Sequence, residues 1–139
     1  MNYKPYSAII LAFGGFLLIC VGLYFIFLRP PLLPEDLRYM KSTLESTQEQ
    51  IPGLLNWLSK VFWVMGGYIF TAGLLTVFIA FTSFRTRARG AFVVVVIAGL
   101  FSIVSMTALN FMIGSDFKWV LLAFTLPWVI ALILYRLHK

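Results

Sequence analysis

Four runs of about 20 apolar residues divide this sequence, and each run is bounded by charged residues, glycine or proline. A helix of that length crosses a hydrocarbon core of about 30 Å. Only 12% of the residues are charged, against about 25% in soluble domains. The sequence therefore predicts an all-α protein with one transmembrane domain, a four-helix bundle in a membrane. The predicted spans are residues 6–28, 61–84, 91–113 and 117–135.

The turn between the second and third spans carries Arg85, Arg87 and Arg89. Dense basic turns stay in the cytoplasm by the positive-inside rule, so four spans place both termini there. We expect a bacterial inner-membrane protein in this orientation, with Lys4, Arg136 and Lys139 on the same side. The three arginines either set the orientation only or also bind anionic lipid headgroups.

The loop over residues 29–60 holds four of the five carboxylates and faces the periplasm in this orientation. Pro34, followed by two acids, predicts a short helix, because proline suits the first helical position and acids suit the positive end of the helix dipole. Ser42 with Glu45, or Ser46 with Glu49, predicts a capping box for a second helix.

The loop is therefore predicted to form an amphipathic helical lid, and residues 54–58 an apolar segment in the membrane interface before the second span begins at residue 61. A catalytic role for the adjacent Glu35 and Asp36 is disfavoured, because neighbouring helical residues point about 100° apart. Asp116, in the loop before the fourth span, is expected to pair with Arg38, Lys60 or Lys118 and so tie the lid to the bundle. The predicted lid contacts are thus Glu35, Asp36, Arg38 and Asp116.

Small residues recur every seven positions in three spans, as a left-handed bundle requires of a seam between helices. We expect these positions to face neighbouring helices. They are Ala8, Gly15 and Gly22, then Gly66, Gly73 and Ala80, and then Ala91, Ala98 and Ser105.

A thin set of polar side chains lies within or near the middle of the spans. Each can bond its own helix or a neighbour, and together they are also candidates for lining a ligand pocket between the second, third and fourth helices. These candidate ligand-binding residues are Thr71, Ser102, Ser105, Asn110 and Trp128.

Groups suited to catalysis are scarce. Cys20 and His138 are the only residues of their kinds, so the sequence predicts no disulfide within the chain, no metal site and no cofactor. No acidic or basic residue lies in the middle of a predicted span, which disfavours a proton-coupled transporter. We assign no catalytic residue.

The segment "VFWVMGGYIFTAGLLTVFIA" resembles the second helix of small bacterial DoxX-like membrane proteins, in which a double glycine and a later glycine follow an aromatic entry into the membrane. The resemblance covers mainly residues 61–113. It implies a small hydrophobic subunit, such as those of quinone-linked oxidoreductases. Related reductase and isomerase bundles use cysteine pairs or membrane-embedded acidic and histidine residues, which this sequence lacks.

The sequence favours a non-catalytic accessory or structural subunit that packs against another membrane protein or itself. The alternative is a binder, or an enzyme, of a lipid or quinone in the pocket under the loop, and a transporter ranks lowest. The expected partners are membrane lipids and a membrane protein or a second copy of the chain, and no nucleic acid.

Overall fold

The computed structural model describes residues 4–137, and the side chains of residues 6–137. Within that range the chain forms helices and no strand, and four helices are long and apolar enough to cross a membrane. The predicted all-α fold and four-helix membrane bundle are therefore confirmed. Three side chains considered above lie outside the described part: Lys4, His138 and Lys139. The four spans are Tyr6–Phe27, Leu54–Phe84, Ala91–Met112 and Lys118–Leu137.

Seven α-helices and two π-helical turns make up the described chain. In order they are α1 (Lys4–Phe27), α2 (Pro34–Met40), α3 (Leu44–Gln50), α4 (Leu54–Ile79) with the π turn Ala80–Phe84, α5 (Ala91–Gly99) with the π turn Leu100–Val104, α6 (Ser105–Met112) and α7 (Lys118–Leu137). We call α2 and α3 the lid. The lid marks one end of the bundle, the lid end, and the turn with the three arginines marks the other, the arginine end.

The first lid helix begins where its sequence predicts. Pro34 occupies the first turn of α2, and Asp36 accepts a hydrogen bond from the backbone N–H of Leu33 at 2.9 Å. The prediction for α3 is wrong in detail, because its N-cap is neither Ser42 nor Ser46. Thr43 has the extended backbone that an N-cap needs, and its hydroxyl accepts from the backbone N–H of Ser46.

The second span begins at Leu54 rather than at residue 61. Pro52 and Gly53 end the loop, and no proline follows before the end of the span at Phe84, so the apolar segment predicted to lie in the interface is continuous with the span. A helix of 31 residues is about 46 Å long, longer than a hydrocarbon core of about 30 Å. A helix of this length extends beyond the core, and we expect its first turns, with the exposed Trp57, to lie in the interface at the lid end.

Helix α1 packs on α4 with backbone almost touching backbone. A Cβ atom at Gly66 would lie 2.8 Å from the carbonyl oxygen of Gly22, and one at Gly73 would lie 2.6 Å from that of Gly15. The seven-residue seams predicted for the first two spans are thus confirmed at these four glycines. In lipid, apolar surface gains little by meeting another helix, so such close approach is a main source of attraction between spans.

The spans lie side by side in the order α4, α1, α7 and the third span, which consists of α5, its π turn and α6. Helix α1 contacts both α4 and α7, whereas the third span packs mainly on α7. At the arginine end the ring closes, because Phe84 is buried and stacks on Tyr135, which in turn stacks on Phe92. At the lid end α4 and α6 stand apart, and a groove separates them.

Adjacent glycines in α4 provide a matched test of the seam. In Gly66→Ala the new methyl would lie 2.7 Å from Ile26 Cγ1, so α1 and α4 must separate, whereas in Gly67→Ala it meets no atom within 4 Å. We expect Gly66→Ala to lower the free energy of unfolding in mixed micelles by about 1–3 kcal/mol. Gly67→Ala should be neutral or stabilising by up to about 1 kcal/mol, because alanine favours helix. Equal effects of the two substitutions would contradict the seam.

Candidate functional site

A cavity of about 460 Å³ lies directly beneath the lid. Helices α1, α4, α6 and α7 form its walls, and residues of α2 and of the segment before it form its roof. Most of the wall is apolar or aromatic, including Val21, Phe62, Met106, Leu121 and Phe124. Ligand pockets in proteins range from about 300 to 1,000 Å³, so this cavity is large enough for a small molecule or an alkyl chain.

A second cavity of about 380 Å³ continues the first towards the middle of the bundle. Both are lined by Met65 and Ile69 of α4 and by Met106 and Leu109 of α6, so they form one groove between these helices. The groove opens sideways, because Leu109 on its edge is 57% exposed. In a bilayer that opening faces the acyl chains.

An ion pair closes one side of the cavity at the lid end. Arg29, after the end of α1, donates to Asp36 of α2 at 3.1 Å, and the two side chains are only 9% and 20% exposed. The guanidinium carbon of Arg29 also lies 3.5 Å from the centroid of the Phe62 ring. A partly buried guanidinium that is paired with a carboxylate and stacked on an aromatic ring is held in a defined position. This pair joins α1, α2 and α4.

Glu35 lies beside this pair and is buried, with 3% of its surface exposed. Its Oε1 accepts a hydrogen bond from the hydroxyl of Ser115 at 3.1 Å, and both residues line the cavity. Ser115 in turn accepts from the backbone N–H of Phe117, just before α7 begins. The contact fixes α2 to the loop between the third and fourth spans, and so the lid to the bundle.

A second ion pair lies on the outer rim of the lid. Arg38 donates to Asp116 at 2.7 Å, which confirms one of the three expected pairings of that carboxylate. The hydrogen bond to Asp116, and then the charge of that carboxylate, raise the pKa of Arg38 above its ordinary value, and the charge of Glu35 adds to this. Both side chains are exposed, so solvent screens the pair and it contributes little to stability. The rim pair orients the lid more than it stabilises it.

The structure divides the predicted ligand-binding residues. Asn110 lines the main cavity, and Ser102 and Ser105 line the second one. Thr71 faces outward on α4, and its hydroxyl donates to the carbonyl of Gly67 in the same helix. Trp128 is buried and, like Thr71, lines neither cavity.

Trp128 connects the third and fourth spans. Its indole N–H donates to the backbone carbonyl of Val95 at 3.0 Å. Gly99 permits this approach, because a Cβ atom there would lie 2.5 Å from the indole nitrogen. The buried hydroxyl of Thr107 donates to the carbonyl of Ile103 in its own span at 2.8 Å and also lies 3.2 Å from the carbonyl of Leu121 in α7. Of the predicted ligand-binding residues, Trp128 thus forms a bond to another helix, whereas the hydroxyls of Thr71, Ser102 and Ser105 and the amide of Asn110 donate within their own span.

The three arginines of the basic turn differ in their surroundings. Arg87 folds back and donates to the backbone carbonyl of Tyr135 near the end of α7, with its guanidinium over the tyrosine ring. Cations suit the negative end of a helix dipole, so this arginine stabilises the end of α7. Arg85 and Arg89 remain exposed at the end of the bundle.

Sequence reasoning missed the contribution of the first span to the cavity. The sequence patterns indicate no role in a pocket for Val21, Tyr24 or Arg29, although all three line the cavity. The signal was weak: Arg29 follows Phe25 by one helical turn, but its contact with Phe62 joins residues far apart in the sequence. Among the described residues, no three His, Cys, Asp or Glu side chains cluster as a metal site would require.

Comparison with known proteins adds no relative, since no protein-family model, no curated protein and no solved structure matches this chain. The function proposed below therefore rests on the cavity and its polar end.

Removing the hydroxyl of Ser115 tests the attachment of the lid. In Ser115→Ala the buried Glu35 loses its hydrogen-bond donor and the N–H of Phe117 loses its acceptor. We expect a loss of about 1–3 kcal/mol in the free energy of unfolding, and faster amide hydrogen exchange in α2. Ser59→Ala is the control, because Ser59 is exposed and bonds only its own helix, so its effect should stay within about 0.5 kcal/mol. Unchanged exchange in α2 of Ser115→Ala would show that the lid is held elsewhere.

Proposed function

We propose that this multi-pass membrane protein binds an amphiphilic molecule, with the apolar part in the groove between α4 and α6 and the polar head beneath the lid. One observation carries the proposal: an apolar cavity of about 460 Å³ has ionic and hydrogen-bonding groups at one end only. Ligand sites typically combine apolar walls with a few placed polar groups, which fix the orientation of the ligand.

The route of entry follows from the same geometry. The lid covers the cavity at the end of the bundle, and Glu35 with Ser115 holds it there. The side of the groove is open at Leu109 and Phe101, which are 57% and 82% exposed. A molecule dissolved in the bilayer enters through this side opening without displacing the lid, whereas a molecule from the aqueous phase must open it.

The proposed location is the bacterial inner membrane, with both termini in the cytoplasm and the lid in the periplasm. The exposed Arg85 and Arg89 support this orientation and are proposed contacts for anionic lipid headgroups. In this orientation the polar head of the ligand lies in the outer leaflet.

A second candidate function is that of a non-catalytic accessory subunit, as in the DoxX-like proteins that the sequence resembles. It is favoured by the packing of the third span, which rests mainly on α7 and leaves the face towards the groove free. A helix of another membrane protein, or of a second copy of the chain, would occupy the groove in place of an amphiphile.

A substitution that fills the groove tests binding of the amphiphile separately from the stability of the protein. Leu109→Trp places an indole where both cavities meet, and we expect the amount of amphiphile that co-purifies in mild detergent to fall by about tenfold, because a filled site cannot accept it. Lipid extraction with mass spectrometry measures the amount. Leu75→Trp is the control, since Leu75 is similarly exposed, at 54%, and lines neither cavity.

The outcome also distinguishes the two candidate functions. An amphiphile bound by the wild type and by Leu75→Trp, but not by Leu109→Trp, supports binding. If the wild type instead purifies with a membrane protein, or as an oligomer, and Leu109→Trp dissociates it, the groove is a subunit interface. A wild-type protein that purifies as a monomer free of any amphiphile contradicts both.

The proposed orientation is testable with single cysteines in a Cys20→Ser background. Ser42→Cys lies between the two lid helices, and Thr86→Cys lies in the basic turn. In intact bacteria, a membrane-impermeant maleimide should label Ser42→Cys, and it should label Thr86→Cys only after the membrane is permeabilised. The opposite pattern would place the arginines outside, against the positive-inside rule.

A further inference from the structure

The polar end of the cavity holds one carboxylate more than it holds basic groups, among the residues that the structure describes. Among the described side chains that line the cavity, Arg29 is the one that is basic. It is bound to Asp36 and to the carbonyl of Pro30, with its guanidinium against Phe62. Asp36 in turn accepts hydrogen bonds from the guanidinium of Arg29 and from the backbone N–H of Leu33. This pair is therefore neutral in sum and has its main hydrogen-bonding groups engaged.

Glu35 is the remaining charge. Its Oε1 accepts from Ser115, but no basic group in the described part of the chain lies within ion-pair distance of either oxygen, and its Oε2 accepts no hydrogen bond there. Arg38 attracts Glu35 through its charge, but it lies exposed on the rim, bound to Asp116 and outside ion-pair distance of Glu35. A carboxylate with 3% of its surface exposed is costly to bury unless a positive or hydrogen-bonding group meets it.

We infer that the ligand is an amphiphile with a cationic amine head, whose N–H groups donate to Glu35 in the cavity under the lid. Asn110 adds a second acceptor, since its amide N–H₂ donates to the carbonyl of Met106 and its amide oxygen is left for a ligand. The rings of Tyr24 and Phe117 line the same end, and aromatic rings favour cations. An anionic head would be repelled by the carboxylate of Glu35. This inference rests on the proposed function and specifies its ligand.

Cys20 supplies the readout, because it lines the cavity and is the only cysteine of the chain. The protein is placed in phosphatidylcholine nanodiscs at neutral pH, and an apolar maleimide modifies Cys20 in the presence of dodecylamine, dodecanol or laurate. The concentration of each amphiphile that halves the modification rate measures occupancy. The three probes share a chain length and differ in the head alone.

Dodecylamine should protect Cys20 at a concentration at least about tenfold lower than dodecanol, because hydrogen bonds to a charged partner are the stronger kind. Glu35→Gln keeps the shape of the side chain and an acceptor for Ser115 but removes the charge, so it should abolish the preference for the amine while dodecanol still protects. Glu49→Gln, the same substitution at an exposed site of α3, should retain the preference.

Two failures are distinguishable. If laurate or dodecanol protects the wild type as well as dodecylamine does, or if Glu35→Gln retains the preference for the amine, Glu35 does not recognise the head group. Either result overturns the inference and leaves the proposed binding of an amphiphile intact. If none of the three protects and the wild type also purifies without an amphiphile, the proposed function fails as well. Protection that persists in Leu109→Trp would place the probes outside the groove and overturn the inference too.

Discussion

The contact between α1 and α4 is the interaction on which the rest of the bundle depends. Glycines on both helices bring the two backbones so close that even a methyl group would force them apart. Because apolar surface is as well accommodated by lipid as by protein, close contact of this kind does for a membrane bundle part of what hydrophobic burial does for a soluble one. Helix α1 packs on α4 with one side and on α7 with the other.

This arrangement explains why a groove exists at all. The third span has no comparable glycine contact with α4. The hydrogen bond from Trp128 to Val95 attaches it to α7, and the hydroxyl of Thr107 lies close to the carbonyl of Leu121. Stacked rings at the arginine end hold the helices together there, at Phe84 and Tyr135. Towards the lid end no such stacking or glycine contact joins α6 to α4 among the described residues. The two helices therefore stand apart and leave an apolar space between them.

The lid turns that space into a candidate binding site with two different ends. Its contacts join α2 to α1 and α4 through Arg29 and to the loop before α7 through Ser115. A neutral ion pair and a single buried carboxylate then border an otherwise apolar cavity. Such an asymmetric site suits a molecule that is itself apolar at one end and polar at the other, which is the basis of the proposed function and of the role inferred for Glu35.

Much of this fold is determined by local sequence. Apolar run length determined the four spans, Pro34 with its acids determined the start of α2, and the glycine spacing indicated the seam between the first two spans, because each depends on residues close together in the chain. Only the tertiary structure decided that Glu35 lies under the lid against Ser115, that Arg29 stacks on Phe62, and that Trp128 bonds Val95 instead of lining a pocket. These contacts join residues that are 33 or more positions apart, and the side that a nearly uniform apolar helix turns towards its neighbours is set by packing rather than by its own sequence.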